Sequence, residues 1–166
     1  MKIVGFANIE NGPRMVLKSD SSLMVNRKPF FIPDWSEDMR FTPCVVVRVC
    51  KLGKHVATKF AHRYYDSIAP AMNIHVEDFC MQGDSVRAWA FDNALPVGTF
   101  MPLDKYVPDN LVLSIDEAIC EVSRWMTIRQ GDLIFIDRKV PSCQLVRETI
   151  FREEVEGKEV FYCKIK

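Results

Sequence analysis

The strongest constraint on the fold of this chain is a series of short apolar or alternating segments separated by turn-forming residues. The clearest segment covers residues 44–50 (CVVVRVC), where valine predominates and a Lys-Leu-Gly-Lys turn follows. Valine favours strands because its branched side chain packs well on a pleated surface. Strand residues two positions apart share a face. This strand therefore presents one face with Cys44, Val46, Arg48 and Cys50 and another with Val45, Val47 and Val49.

Most other segments also predict strands, and only two predict helices. An apolar stripe predicts a helix at residues 57–65, and a second helix is predicted to begin after Ser114 and to end before Gln130. Ser114 and Glu117 have the spacing of a capping box. With no repeat or linker in the chain, we predict one α+β, mainly β domain over residues 1–166 with two short helices. The remaining strands are predicted at residues 2–7, 14–17, 30–32 and 133–136, with a hairpin over residues 145–166.

Charge and hydropathy argue against several classes of protein. The 22 basic and 22 acidic residues give a net charge of zero, whereas a dedicated nucleic-acid-binding protein carries a basic excess. The longest apolar runs are too short to cross a bilayer, and the N-terminal segment lacks a signal-peptide pattern. We therefore expect a cytoplasmic protein that binds neither nucleic acid nor membranes.

The 6 cysteines and 3 histidines do not show the spacing of a metal site. No two cysteines form a Cys-x-x-Cys pair, and no His-x-x-x-His or His-Glu-x-x-His pattern occurs. A folded chain of this length needs no disulfide or metal for stability. We predict free, mostly buried thiols and neither a metal ion nor another cofactor.

Five segments are notable for occurring together in one order: residues 28–34 (KPFFIPD), 46–54 (VVRVCKLGK), 60–66 (FAHRYYD), 90–92 (AFD) and 123–133 (SRWMTIRQGDL). In this order they resemble the fumarylacetoacetate hydrolase superfamily. The similarity is greatest to its short bacterial members, which are fumarylacetoacetate hydrolases or 2-hydroxyhepta-2,4-diene-1,7-dioate isomerases. The resemblance implies the mixed β-sandwich roll of that family's C-terminal domain, usually assembled as a homodimer.

The resemblance also implies a metal site, and here the chain departs from the family. Family enzymes hold Mg²⁺ or Mn²⁺ with a Glu-x-Glu pair on a strand and a later Asp. The matching positions in this sequence are Thr42, Cys44 and Asn73. None is a carboxylate, although a hard divalent cation requires oxygen ligands and negative charge. Pro43, between the first two, also suggests a strand edge or a bulge.

Three other parts of the family site are altered. The lysine that contacts substrate oxygens in family enzymes corresponds to Trp89, which precedes the matching Asp92. The family's Gly-Thr-Pro loop corresponds to residues 137–139 (DRK), and the N-terminal catalytic His has no counterpart before His55. Thr42, Cys44, Asn73, Trp89 and Asp92 are therefore candidate lining residues of a former pocket, without a catalytic or metal role.

These departures predict a catalytically inactive relative, a pseudoenzyme with a degenerate metal site. It would act as a binding or assembly module, as a homodimer or paired with an active paralogue, and could hold a small anionic ligand. Two alternatives remain open. One is a divergent hydrolase or isomerase of fumarylacetoacetate-like, acylpyruvate or 2-hydroxy-diene-dioate substrates, and the other is an interaction protein unrelated to these substrates.

Cys44 allows a further hypothesis. A thiolate at this position would be a nucleophile if a cation such as Arg48, on the same strand face, lowered its pKa. However, no histidine lies at a family-site position to act as a base, and Cys44 begins an apolar strand. The simpler interpretation is a buried structural cysteine, with Arg48 paired to an acidic side chain.

Overall fold

The computed structural model describes residues 1–166, and its centre is a mixed 7-stranded sheet. Strand β1 (Ile3–Ile9) pairs antiparallel with β2 (Gly12–Lys18) through the predicted tight turn. Gly12 has a φ of 99°, a conformation that glycine adopts without steric penalty. On its other side, β1 pairs parallel with the strand at residues 133–137. The predicted opening hairpin is therefore confirmed, and it forms one edge of the sheet.

The interior of the sheet consists of three strands, and the central one pairs antiparallel with both neighbours. They are β4 (Met39–Val49), which is central, β5 (Tyr65–Val76) on one side and β8 (Leu133–Asp137) on the other. Pro43 therefore lies in an interior strand, and the prediction of an edge or bulge at this position is wrong. The ladder with β8 ends here: the Arg138 amide donates to the Pro43 carbonyl at 2.9 Å, and Pro43 has no N–H to return.

Shorter strands complete the fold. β7 (Met101–Pro102) pairs with β5, and β9 (Cys143–Gln144) pairs with β4. Residues 30–32 form only an isolated bridge from Phe30 to Ile165 rather than the predicted strand. Outside the main sheet lie a parallel pair, β3 (Leu23–Met24) with β6 (Leu95–Pro96), and the predicted terminal hairpin, β10 (Ile150–Val155) with β11 (Lys158–Lys164).

The helices differ more from expectation than the strands. The helix predicted at residues 57–65 is a single turn, α1 (Thr58–Ala61), because Tyr65 already starts β5. Two further short helices, α2 (Glu77–Met81) and α3 (Ser85–Trp89), follow β5. The capped helix is present as α4 (Ile115–Trp125), with both hydrogen bonds of the Ser114–Glu117 capping box. No helix in this chain combines the length and apolar character required to cross a membrane.

Strand alternation gives the sheet two faces with different covers. The face with Val45, Val47 and Ile134 packs under α4, and we call it the α4 face. The opposite face, with Cys44, Val46 and the preceding strand position Thr42, packs under α2 and α3, and we call it the cleft face. The predicted two-faced strand at residues 44–50 is confirmed. A third apolar cluster joins the terminal hairpin to the far ends of β4 and β5.

Candidate functional site

The three positions that correspond to the family's metal ligands meet on the cleft face. Thr42 of β4 lies directly opposite Asn73 of β5, and Cys44 lies directly opposite Asp137 of β8. The side chains are closed off from solvent, since Thr42, Cys44 and Asn73 are 1%, 2% and 0% exposed. Sequence matching thus identified residues that the strand register places together.

Asp137 lies beside these three side chains, and we call the four residues together the buried group. Asp137 was not predicted as a site residue. The Asn73 Nδ2 donates to the two carboxyl oxygens of Asp137 at 3.0 and 3.1 Å, and the Asn8 amide donates to one of them at 2.9 Å. Burial raises the pKa of Asp137 to about 8, against the opposing effects of these hydrogen bonds and of Lys18. Its carboxyl group therefore titrates near neutral pH.

Lys18, at the end of β2, supplies a buried cation to the same region. Its Nζ donates to the carbonyl oxygens of Ile74 and Trp89 at 3.0 Å each and of Ala94 at 3.3 Å. The ammonium also lies 5.5 Å from the centre of the Trp89 ring. Burial lowers the pKa of Lys18 to about 7, opposed by the nearby Cys44 and Asp137. These contacts hold the amine within the protein, and its side chain is closed to solvent.

The buried group does not fit Mg²⁺ or Mn²⁺, the ions that the fold family implies. Burial raises the pKa of the Cys44 thiol well above its usual value, so that residue offers a neutral sulfur to a cation that prefers oxygen. Asn73 directs its amide N–H groups at Asp137, and its Oδ1 is buried without a hydrogen-bond partner. The Lys18 ammonium adds a competing positive charge. The residues at this position therefore do not support a metal-dependent reaction step.

Beside the buried group lies an open cleft of about 910 Å³. Trp89 forms part of its wall, whereas Thr42, Cys44 and Asn73 do not reach it. Three cationic side chains and two carboxylates line this cleft: Arg14, Arg40 and Lys139, with Glu10 and Glu77.

Trp89 connects the buried group to the cleft. Its ring stacks on His75 with centroids 4.7 Å apart, and it is 3% exposed. The last turn of α3 places it there, and Asp84 caps that helix by accepting a hydrogen bond from the Arg87 amide at 2.9 Å. The aromatic ring therefore fills the position where the resemblance implies a lysine.

The remaining sequence candidates lie elsewhere. Asp92 is exposed in a turn, where its carboxylate accepts a hydrogen bond from the Ser21 hydroxyl at 2.6 Å, and it does not line the cleft. Arg48 pairs with Asp66 at 3.1 Å and is nearly half exposed, which confirms the expected acidic partner. Cys44 is therefore buried opposite Asp137, and Arg48 does not supply it with an activating cation.

Sequence reasoning missed Lys18, His75 and Asp137 as members of this region. Asp137 ends an apolar strand segment at a position that shares a face with Phe135, and this periodicity could have marked it as inward-facing. Lys18 shares a face with Val16 for the same reason. Nothing in the local sequence of His75 indicates its stacking on Trp89, because the two residues come from different elements.

Neither a protein-family model nor a curated protein matches the sequence. Several solved structures, however, match this chain in fold. Fumarylpyruvate hydrolase from Pseudomonas aeruginosa, determined in complex with Mn²⁺ and pyruvate, has a TM-score of 0.85 at 14% identity over 99% of this chain and 89% of that chain.

Two isomerases have the same fold. The 2-hydroxyhepta-2,4-diene-1,7-dioate isomerase from Mycobacterium marinum has a TM-score of 0.84 at 16% identity, over 99% of this chain and 73% of that chain. The 5-carboxymethyl-2-hydroxymuconate delta-isomerase from Mycobacterium smegmatis has a TM-score of 0.84 at 14% identity, over 99% of this chain and 78% of that chain. The chain therefore has the fold that these hydrolase and isomerase structures share, which is the fold that its sequence resemblance predicts.

Proposed function

We propose that this protein is a non-catalytic binding module that holds a small anionic ligand in the open cleft. The observation that carries the proposal is the contrast between the buried group and the cleft. Thr42, Cys44 and Asn73 are packed shut around Asp137, while a cleft large enough for a small carboxylate remains beside them. The fold is retained, and the position matching the family's metal ligands is occupied by packed side chains.

The cleft has two cations that are free to contact an anion, and two carboxylates, Glu10 and Glu77, also line it. Arg40 is already engaged, because its guanidinium donates to Asp38 at 2.9 and 3.2 Å. Arg14 and Lys139 form no salt bridge within the chain, and both are exposed. Two uncommitted cations beside a partly apolar wall can attract and orient a carboxylate.

Titration calorimetry with pyruvate and fumarate, at low and high salt, tests this proposal. We expect saturable binding that weakens as salt increases, since exposed charges are screened. Arg14→Gln should lower the affinity by roughly tenfold, the loss expected for one charge-assisted hydrogen bond. Arg124→Gln on α4 is the matched control, because it removes an exposed arginine from the opposite face of the sheet.

The same preparations should be assayed for hydrolysis of an acylpyruvate with and without Mn²⁺. We expect no metal-dependent turnover, because the buried group lacks the carboxylates that would hold the ion. Stoichiometric Mn²⁺ binding with metal-dependent turnover would refute the proposal. That result would favour the second candidate, a divergent hydrolase or isomerase of acylpyruvate, fumarylacetoacetate-like or 2-hydroxy-diene-dioate substrates. Hydrolases and isomerases among the structural neighbours support this candidate.

An assembly role is also compatible with the closed metal position. A groove of about 760 Å³ lies between α4 and the opening hairpin, and Trp125 on its rim is 66% exposed. Exposed aromatic side chains are common at protein interfaces. Light scattering after size-exclusion chromatography distinguishes a monomer from a homodimer, and Trp125→Ser should dissociate a dimer formed through this groove. A dimer that Trp125→Ser leaves intact would place the interface elsewhere.

A further inference from the structure

Three potential metal ligands meet in the wall of the cleft, outside the group that matches the family's metal site. His75 is near the end of β5, and Glu77 and Cys80 belong to α2 immediately after it. One ligand atom from each residue lies within 4.8 Å of the other two. All three residues line the cleft, so solvent has access to the space between them.

The positions of these atoms suit a tetrahedral ion. The His75 Nε2 and the Glu77 Oε2 are 3.0 Å apart, close to the separation of two ligands that each lie about 2.0–2.1 Å from one zinc ion. The Cys80 Sγ lies within 4.8 Å of both atoms, and the residue is half-buried on the short helix α2. Three protein ligands leave a fourth position open to the cleft.

The chemistry of the three ligands selects among metals. A thiolate, an imidazole and a single carboxylate match Zn²⁺ and Co²⁺, whereas Mg²⁺ and Mn²⁺ prefer oxygen ligands. Burial raises the pKa of the Cys80 thiol to about 11, so the metal-free chain holds it protonated. Zn²⁺ binding displaces this proton to solvent, and the two negative charges of Glu77 and the Cys80 thiolate then balance the divalent ion.

Packing holds the His75 ring in a fixed position. The side chain is 5% exposed, and its Nδ1 is buried without a hydrogen-bond partner, so the ring is positioned by packing rather than by two hydrogen bonds. Stacking on Trp89, at an interplanar angle of 24°, fixes the plane of the imidazole. A buried imidazole held in this way keeps Nε2 directed at the Glu77 carboxylate, so two of the three ligand atoms are preorganised.

We infer that His75, Glu77 and Cys80 form a binding site for Zn²⁺ with one coordination position open to the cleft. The site is separate from Thr42, Cys44 and Asn73, and it does not depend on whether the cleft takes an anionic ligand. It also escapes sequence motifs for zinc, because one ligand comes from a strand and two from the following turn of helix.

Co²⁺ titration of the chelator-treated full chain tests the inference, because cobalt reports thiolate ligation through a charge-transfer absorption band. We expect one Co²⁺ per chain, an absorption band from Cys80, and displacement of the cobalt by Zn²⁺. Cys80→Ser should abolish the band, and Cys80→Ser and Glu77→Gln should each weaken metal binding by at least about tenfold. Mg²⁺ at the same concentration should not displace the cobalt.

Cys120→Ser is the matched control, because Cys120 is a free, partly exposed thiol on α4, across the sheet from the cleft. It should bind Co²⁺ as the parent chain does. Circular dichroism of each variant verifies that the fold is intact. Absence of saturable Co²⁺ binding in the parent chain, or an unchanged charge-transfer band in Cys80→Ser, would overturn the inference.

Discussion

The two faces of the central sheet are built on the same strands but bury different chemistry. On the α4 face, Val47, Ile119 and Ile134 are each 0% exposed and belong to a cluster of buried apolar side chains. On the cleft face, buried apolar residues are interrupted by Lys18, Asn73 and Asp137, which are 5%, 0% and 1% exposed. Apolar packing therefore stabilises the α4 face, whereas the cleft face also depends on buried hydrogen bonds and charges.

The difference shows how buried polar groups are accommodated on one face. The resemblance implies three carboxylates around a divalent ion, whereas this chain has an amine bonded to carbonyl oxygens and an amide bonded to a carboxyl group. A buried charge is tolerated only when it is paired or hydrogen-bonded. The cleft face should thus respond to charge removal and to pH, and the α4 face to changes in volume.

The largest loss of stability at a single pH is expected from Lys18→Met. The substitution removes the donor that Ile74, Trp89 and Ala94 share and the positive charge that interacts with Asp137. The three carbonyl oxygens then lose a buried donor. Leaving buried polar groups unsatisfied typically costs about 1–3 kcal/mol each, so we expect the free energy of unfolding to fall by about 4 kcal/mol. Urea denaturation measures the loss. Lys158→Met, at the exposed hairpin turn, is the control, and equal stability of the two variants would show that the buried amine contributes nothing.

A loss of about 3 kcal/mol is expected from Ile119→Ala on the α4 face, since truncating a fully buried aliphatic side chain leaves a cavity. The loss should be independent of pH, because no titratable group takes part. Denaturation at pH 5 and pH 8 measures it against Val86→Ala, which truncates a side chain that is 71% exposed. A marked pH dependence of the loss would remove the distinction between the two faces.

Asp137→Asn should change how stability varies with pH. Since burial raises the pKa of Asp137 to about 8, well above the ordinary value of a carboxyl group, the folded chain retains a proton between about pH 4 and pH 8 that the unfolded chain releases. This group therefore makes stability decrease as pH rises through that window, by up to about 1.4 kcal/mol per pH unit. The difference in unfolding free energy between variant and parent should increase across this range and level off above it.

The introduced amide in Asp137→Asn also has a suitable partner. A half-turn of the Asn73 amide exchanges its nitrogen and oxygen, and Oδ1, which lacks a partner in the parent chain, can then accept a hydrogen bond.

Lys18 acts in the opposite direction at higher pH. Burial lowers its pKa to about 7, so its contribution makes stability rise from about pH 7 to pH 10.5. A parent-minus-variant difference that is flat from pH 4 to pH 8 would contradict a raised Asp137 pKa.

The smallest effect, about 1 kcal/mol, is expected from Ser114→Ala at the start of α4. The Ser114 hydroxyl accepts a hydrogen bond from the Glu117 amide at 3.2 Å, and the Glu117 carboxylate accepts one from the Ser114 amide at 2.9 Å. Thermal denaturation of Ser114→Ala, Glu117→Ala and the double variant measures the capping box. Because the two residues cap one helix end together, the losses should not be additive.

The strand pattern and the capping box were predictable because both are local. Alternation placed Cys44 and Val45 on opposite faces, and Ser114 marked the start of α4. The helix at residues 57–65 was overestimated because β5 captures Tyr65 through pairing with Val49, a partner 16 positions earlier in the chain. The short helices α2 and α3 lack the length for a clear periodic signal.

The sequence by itself determined a sheet-dominated fold, its two-faced central strand and the neutral side chains of Thr42, Cys44 and Asn73. The tertiary structure alone decided what surrounds them, because Lys18, Asp137 and Trp89 reach the region from β2, β8 and α3. It likewise brought His75, Glu77 and Cys80 around one point of the cleft wall. Burial and electrostatic pairing depend on distances between elements far apart in the chain, and those distances exist only after the sheet has assembled.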